Sequence, residues 1–105
     1  MARFKLEPVN CRHGAPMGRP DVLPADPSRP VSLSLNRMRM IDGDYDSGGA
    51  YWGGNASTGH MWCAHSAPSE PLVLVFVRAW TARGAAVSVK QIVPGATCDL
   101  RSTRV

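Results

Sequence analysis

Proline is concentrated in one part of this chain: six of the nine prolines lie between Pro8 and Pro30. Proline donates no backbone hydrogen bond and pushes the preceding residue toward extended conformations, which excludes a long helix or a central strand there. Before this segment, Phe4 and Leu6 alternate with charged residues, as in a short strand over Arg3 to Val9. The sequence therefore predicts an N-terminal strand and proline-rich irregular arm over residues 1–30, followed by a single α+β domain over residues 31–105.

Period-two alternation marks the first strand of the predicted domain. Val31, Leu33 and Leu35 alternate with small polar residues, as expected of a strand with one buried face. The apolar positions then shift by one residue to Met38 and Met40. Because such a shift turns side chains to the opposite face of a sheet, we expect a β-bulge or bend near Asn36.

Two further strands are predicted after a glycine-rich segment. His60 to His65 alternates, with Trp62 and Ala64 on one face and Met61 and Cys63 on the other. Leu72 to Trp80 is an almost continuous apolar run, typical of a strand buried on both faces and therefore central in its sheet.

One helix completes the predicted fold. Thr81 is a suitable N-cap for a helix that begins at Ala82, and Pro94-Gly95 ends the helical spacing of apolar residues. A short closing strand is expected over Ala96 to Arg101. The sequence thus predicts an α+β fold, in which a small antiparallel sheet of three to four strands has one helix packed on one face.

Composition limits the classes of protein that this chain can belong to. It has 105 residues, 44% of them hydrophobic and 19% charged, which favours one globular domain. The longest apolar run, Leu72 to Val77, is too short to cross a bilayer, and no signal peptide is evident. Three cysteines form no disulfide framework. We expect reduced thiols, a cytoplasmic location and no membrane partner, and the oligomeric state is left open.

Residues 42–54 form the predicted working surface, since they combine glycines, acids and large rings. Tyrosine, tryptophan and arginine dominate binding hot spots and also stack on bases. The opposing interpretation is that Tyr51 and Trp52 only pack the loop onto the sheet. The predicted binding residues are Asp42, Asp44, Tyr45, Asp46, Tyr51, Trp52, Arg37, Arg39, Trp62 and Arg78.

Metal and catalytic interpretations of the same residues are weaker. The spacing of Asp42, Asp44 and Asp46 is similar to the start of a calcium loop, but the glycine and glutamate that such loops require are missing. Two Cys-x-His pairs could bind zinc or supply a nucleophile with its base, although the spacing is narrow and no orienting acid is evident. We expect no metal, no cofactor and no enzymatic activity. The zinc candidates are Cys11, His13, Cys63 and His65.

Three motifs in the segment from Asn36 to Asp99 carry a family resemblance. They are Tyr45-Asp46-Ser47-Gly48-Gly49-Ala50-Tyr51-Trp52-Gly53, Phe76-Val77-Arg78-Ala79 and Pro94-Gly95-Ala96. In this order they resemble a family of small uncharacterised proteins encoded by bacteriophages, prophages and plasmids. The resemblance implies a mobile genetic element as the source, and it implies no reaction.

The functional expectation combines this resemblance with size and charge. We expect a non-enzymatic binding protein that engages a host protein or nucleoprotein complex, in the manner of an anti-CRISPR inhibitor of host defence. The net charge of +4 leaves nucleic acid possible as a partner. The alternatives are a small nucleic-acid-binding module and a minor virion component.

Overall fold

The computed structural model describes residues 18–41, 45–52 and 59–104. The predicted strand over Arg3 to Val9 lies outside the described residues. The elements in chain order are β1 (Val31–Arg37), β2 (Met40–Ile41), β3 (Tyr45–Asp46), β4 (His60–His65), β5 (Leu74–Ala79), α1 (Ala82–Ile92) and β6 (Ala96–Arg104). No helix in these ranges is long and apolar enough to span a membrane.

The main sheet has four strands in the order β5-β4-β1-β6, and β2 and β3 form a separate two-stranded hairpin. One helix and a four-stranded sheet confirm the predicted α+β class. The sheet is mixed, however, because β6 pairs parallel to β1, whereas β4 pairs antiparallel to both β1 and β5. A single helix between β5 and β6 returns the chain to the end of the sheet where β5 began, so both strands run the same way. The prediction of a purely antiparallel sheet was wrong at this pairing.

The predicted irregularity in β1 is confirmed. The register of β1 against β6 shifts between Ser34 and Asn36. Leu33 and Leu35 are buried on the helix side of the sheet, and Met38 is buried in a second cluster after the shift. Ser34 to Asn36 of β1 lies opposite Asp99 to Thr103 of β6, so the extra residues are in β6, and the register of β1 against β4 is continuous. Met38 therefore reaches the second cluster by regular alternation, because it lies three residues after Leu35.

Strand β5 is an edge strand, so its predicted central position was wrong. Its apolar run is explained by cover on both faces: Val75 and Val77 pack under α1, and Phe76 packs in the cluster on the opposite face. The proline-rich arm covers its outer edge. Val22 and Leu74 exchange backbone hydrogen bonds of 2.8 and 2.9 Å. The arm thus pairs with backbone groups of β5 that an uncovered edge strand would leave without partners.

Helix α1 begins and ends where the sequence predicts. The hydroxyl of Thr81 accepts a hydrogen bond from the backbone N–H of Gly84, and Ala85 and Val89 are buried against the sheet. After the helix, the turn at Pro94-Gly95 contacts the arm closely. The N–H of Gly95 donates to the carbonyl of Pro27 at 2.9 Å, and a Cβ at this position would lie 2.8 Å from the carbonyl oxygen of Ser28. Only glycine fits there without displacing backbone.

Candidate functional site

The carboxylate of Asp46 is the centre of the glycine-rich loop. Its residue is fully buried, with 0% exposure, although its charge would be costly to bury alone. Arg19 of the arm neutralises it through a bidentate pair, with Nε donating at 2.6 Å and Nη2 at 3.0 Å. The Arg19 side chain is itself only 7% exposed. A fork of this kind fixes both direction and distance between arm and loop.

The same carboxylate also folds the loop that follows it. Asp46 Oδ1 accepts the backbone N–H groups of Gly48 at 2.9 Å and Ala50 at 3.1 Å. The backbone closes the same turn, since the N–H of Gly49 donates to the Asp46 carbonyl at 3.0 Å. Gly49 has a φ of 91°, which a larger side chain rarely adopts. Aspartate and glycine at these spacings are therefore what the turn requires.

Trp52 ties the loop to the sheet. Its indole Nε1 donates to Asp46 Oδ2 at 2.9 Å, and its ring lies 5.3 Å from that of Phe76 in β5. Gly18 packs on the other side of this indole, where a Cβ would come within 2.7 Å of a ring carbon. Arg78 donates from β5 to the carbonyl of Gly59 at 3.2 Å. These contacts hold the loop against the face of the sheet opposite α1.

The environment of Asp46 favours its ionised form. Burial raises the pKa of Asp46, but the hydrogen bonds from Arg19, Trp52 and the Ala50 N–H outweigh it, and the net effect lowers the pKa below its usual range. The group is therefore a permanent anion at neutral pH. With five hydrogen bonds from protein donors, it has no lone pair to offer a substrate or a cation.

Tyr45 and Tyr51 lie on either side of the turn and contact each other. Their rings lie 5.0 Å apart with planes tilted by 45°, and their backbones meet in an isolated antiparallel bridge. Both residues are half-buried. Because they flank the turn that Asp46 closes, the orientation of each ring is tied to that turn.

The other predicted binding residues are distributed around the molecule. Arg39 is exposed, whereas Trp62 is only 4% exposed and belongs to the core beneath α1. Trp62 is thus a core residue, with its indole N–H bonded to the carbonyl of Ala79 at 2.8 Å. Arg37 donates to Nδ1 of His60 at 3.0 Å. The predictions for Asp42 and Asp44 lie outside the described residues.

The described metal candidates do not assemble into a site. Cys63 is fully buried, and burial raises the pKa of its thiol to about 12. His65 uses both ring nitrogens within the protein: Nε2 accepts from Asn36 at 2.6 Å, and Nδ1 donates to the carbonyl of Ser66 at 3.2 Å. Within residues 18–41, 45–52 and 59–104, no group of three or more His, Cys, Asp or Glu could hold a metal ion. Cys11 and His13 lie outside these ranges.

Sequence reasoning missed the two arm residues that complete the loop. Arg19 is 27 positions away from Asp46, and no local pattern links a cation in a proline-rich segment to a distant acid. Gly18 has a φ of 58° and sits on Trp52. The one hint in the sequence was that Gly18 and Arg19 are adjacent within a segment rich in proline.

No family model, curated protein or solved structure matches this chain.

Proposed function

We propose that this chain is a non-enzymatic binding protein that uses the loop around Tyr45 and Tyr51 to engage another macromolecule. One observation carries the proposal: five hydrogen bonds converge on the buried Asp46 and fix a loop that carries two half-buried tyrosines in contact with each other. A fixed loop loses little conformational entropy when a partner binds. Tyrosine supplies a large rigid contact area with a polar tip.

The chemistry of the candidate catalytic groups favours binding over catalysis. A general base needs a free lone pair near its substrate, and all the described contacts of Asp46 are with donors of the protein itself. A cysteine nucleophile needs an accessible thiolate, whereas Cys63 is fully buried and its pKa is raised to about 12. The pair of Cys63 and His65 is therefore a poor nucleophile and base.

The proposed setting is a bacterial cell that carries a phage or another mobile genetic element. The motif from Tyr45 to Gly53 and its resemblance to phage, prophage and plasmid proteins support this setting. The partner would be a host protein or nucleoprotein complex in the cytoplasm. Inhibition of a defence system by occlusion, as anti-CRISPR proteins do, is the concrete form that suits a small chain with a rigid contact loop.

Affinity capture from a bacterial lysate tests the binding role of the loop. The informative variant is Tyr45→Ala with Tyr51→Ala, compared with the wild type and with Leu72→Ala plus Val87→Ala. This control also truncates two exposed apolar side chains, away from the loop. We expect wild type and control to retain a partner that the tyrosine variant loses, while its thermal unfolding stays cooperative. Equal retention by all three proteins would exclude the loop as the contact surface.

A plaque assay tests the defence-inhibitor form of the proposal. The chain is expressed in strains that each carry one defence system, and the strains are challenged with a sensitive phage. We expect plaque formation to recover in at least one strain with the wild type and the control, but not with the tyrosine variant. Recovery that is identical with the tyrosine variant would show that inhibition does not use this loop.

A further inference from the structure

A second surface lies at the end of the sheet where α1 begins, on the face opposite the glycine-rich loop. Strands β1 and β5 end here, and β4 starts here. Trp80, which follows β5, is 60% exposed. A tryptophan this open to solvent is unusual, because a large ring is normally highly buried. An indole that is open to solvent can stack on a ring of a ligand.

The open indole is held in place from one side. The rings of Trp80 and His60 meet edge to face, with centroids 5.3 Å apart and planes at 79°. Arg37 in turn donates to Nδ1 of His60 at 3.0 Å. An edge-to-face contact leaves at least one face of the indole open. His60 therefore holds the Trp80 ring in place, and the guanidinium of Arg37 holds His60.

Two further arginines belong to the same end of the sheet. Arg39 follows β1 from the same end, and Arg83 lies in the first turn of α1, and both are exposed. Within residues 18–41, 45–52 and 59–104, the ion pair between Arg19 and Asp46 joins the arm to the glycine-rich loop and involves neither of these two arginines. The first turn of α1 contains no acid.

The exposed apolar side chains that would suit a protein partner lie away from Trp80. Val22, Leu23 and Leu72 are exposed at the opposite end of β5, beside a groove of about 450 Å³. Trp80, by contrast, contacts the imidazole of His60, and Arg37 bonds to that imidazole. An open ring among cations is the combination that stacks a base and contacts its phosphates.

We propose that Trp80, His60 and Arg37, with Arg39 and Arg83 beside them, form a binding site for single-stranded nucleic acid. A base stacks on the open face of Trp80, and the arginines contact the phosphates on either side. This site goes beyond the proposed function, since it uses the opposite face of the sheet from Tyr45 and Tyr51. It does not require the loop to have a partner.

Fluorescence titration with a 15-nucleotide oligothymidine tests the proposal. Trp62 is buried and Trp52 is packed on Phe76, so quenching of the exposed indole on addition of oligonucleotide would report Trp80. Anisotropy of a labelled oligonucleotide gives the affinity of each variant. We expect Trp80→Ala to weaken binding about tenfold and Trp80→Phe, which still stacks, much less. Arg37→Ala should weaken binding several-fold.

Charge and strand specificity supply the controls. Arg29→Ala removes the same charge at the opposite end of the sheet and should change affinity less than twofold. With about three phosphate contacts, the logarithm of the affinity should fall with the logarithm of salt concentration with a slope of about −2. Tyr45→Ala with Tyr51→Ala should bind the oligonucleotide like the wild type. The proposal is overturned if Trp80→Ala binds normally, if Arg29→Ala and Arg37→Ala are equally weakened, or if a matched duplex binds as tightly as the single strand.

Discussion

At the scale of single residues, Asp46 explains most of the motif in which it lies. Its side chain accepts from Gly48, Ala50 and Trp52, so aspartate, small residues and an indole N–H are required at fixed spacings. The position of the loop was predictable from residue types, and the binding role of its rings stays a prediction. The bond from Arg19 was not, because an ion pair across 27 residues leaves no periodic signal in a sequence.

Replacement of Asp46 by asparagine should destabilise the protein by about 3 kcal/mol, because Arg19 would remain buried without its counter-charge. Asparagine keeps the size of the side chain and one oxygen acceptor, which isolates the loss of charge. Urea denaturation at neutral pH measures the change. Asp26→Asn is the control, since Asp26 is an exposed aspartate that also caps a local turn through Ser28. A loss no larger than that of the control would refute the role assigned to Asp46.

Stability should also depend on pH through Asp46. Because folding lowers its pKa from the ordinary value of 3.8, its contribution is fully present above that value and is lost as the pH falls through the folded pKa. The difference in unfolding free energy between wild type and Asp46→Asn should therefore be constant from pH 7 to 5 and shrink at pH 3. Urea denaturation at these three pH values checks the trend. A difference that grows on acidification would mean that the carboxylate is not stabilised by folding.

At the scale of elements, the arm acts as the missing neighbour of β5. Apolar patterns correctly predicted β1, β4 and β5 and an irregularity near Asn36, and capping correctly predicted the helix, but the hairpin of β2 and β3 was not predicted. The apolar run of β5 was misinterpreted as a central position, because burial of both faces of a strand does not reveal how many neighbours it has. The cover comes from Asp21 and Val22, which belong to a segment that proline excludes from regular structure.

Substitutions of Asp21 test whether the arm protects the outer edge of β5. Its Oδ1 accepts the backbone N–H of Phe76 at 3.0 Å. Asp21→Ala removes the acceptor and should cost about 1 kcal/mol of stability, whereas Asp21→Asn keeps an oxygen and should cost less than half as much. Thermal unfolding compares the two variants, and hydrogen exchange at the Phe76 amide should accelerate in Asp21→Ala alone. If both variants match the wild type, the arm does not protect this edge.

At the scale of the whole molecule, the described part of the arm contacts three separate regions. Arg19 binds the loop, Val22 pairs with β5, and the carbonyl of Pro27 accepts from Gly95 after the helix. The sheet separates the loop with its two tyrosines from the surface around Trp80. A small chain of this construction can present two contact surfaces whose variants act independently.

Hydrogen exchange measured by NMR tests the central claim, that Asp46 holds the glycine-rich loop in one conformation. The amides of Gly48 and Ala50 and the indole N–H of Trp52 all donate to its carboxylate. We predict that in the wild type all three exchange nearly as slowly as the amide of Cys63 in β4, and that Arg19→Ala accelerates them selectively. Arg29→Ala should leave them unchanged. Rapid exchange of these three protons in the wild type, while β4 stays protected, would contradict the account.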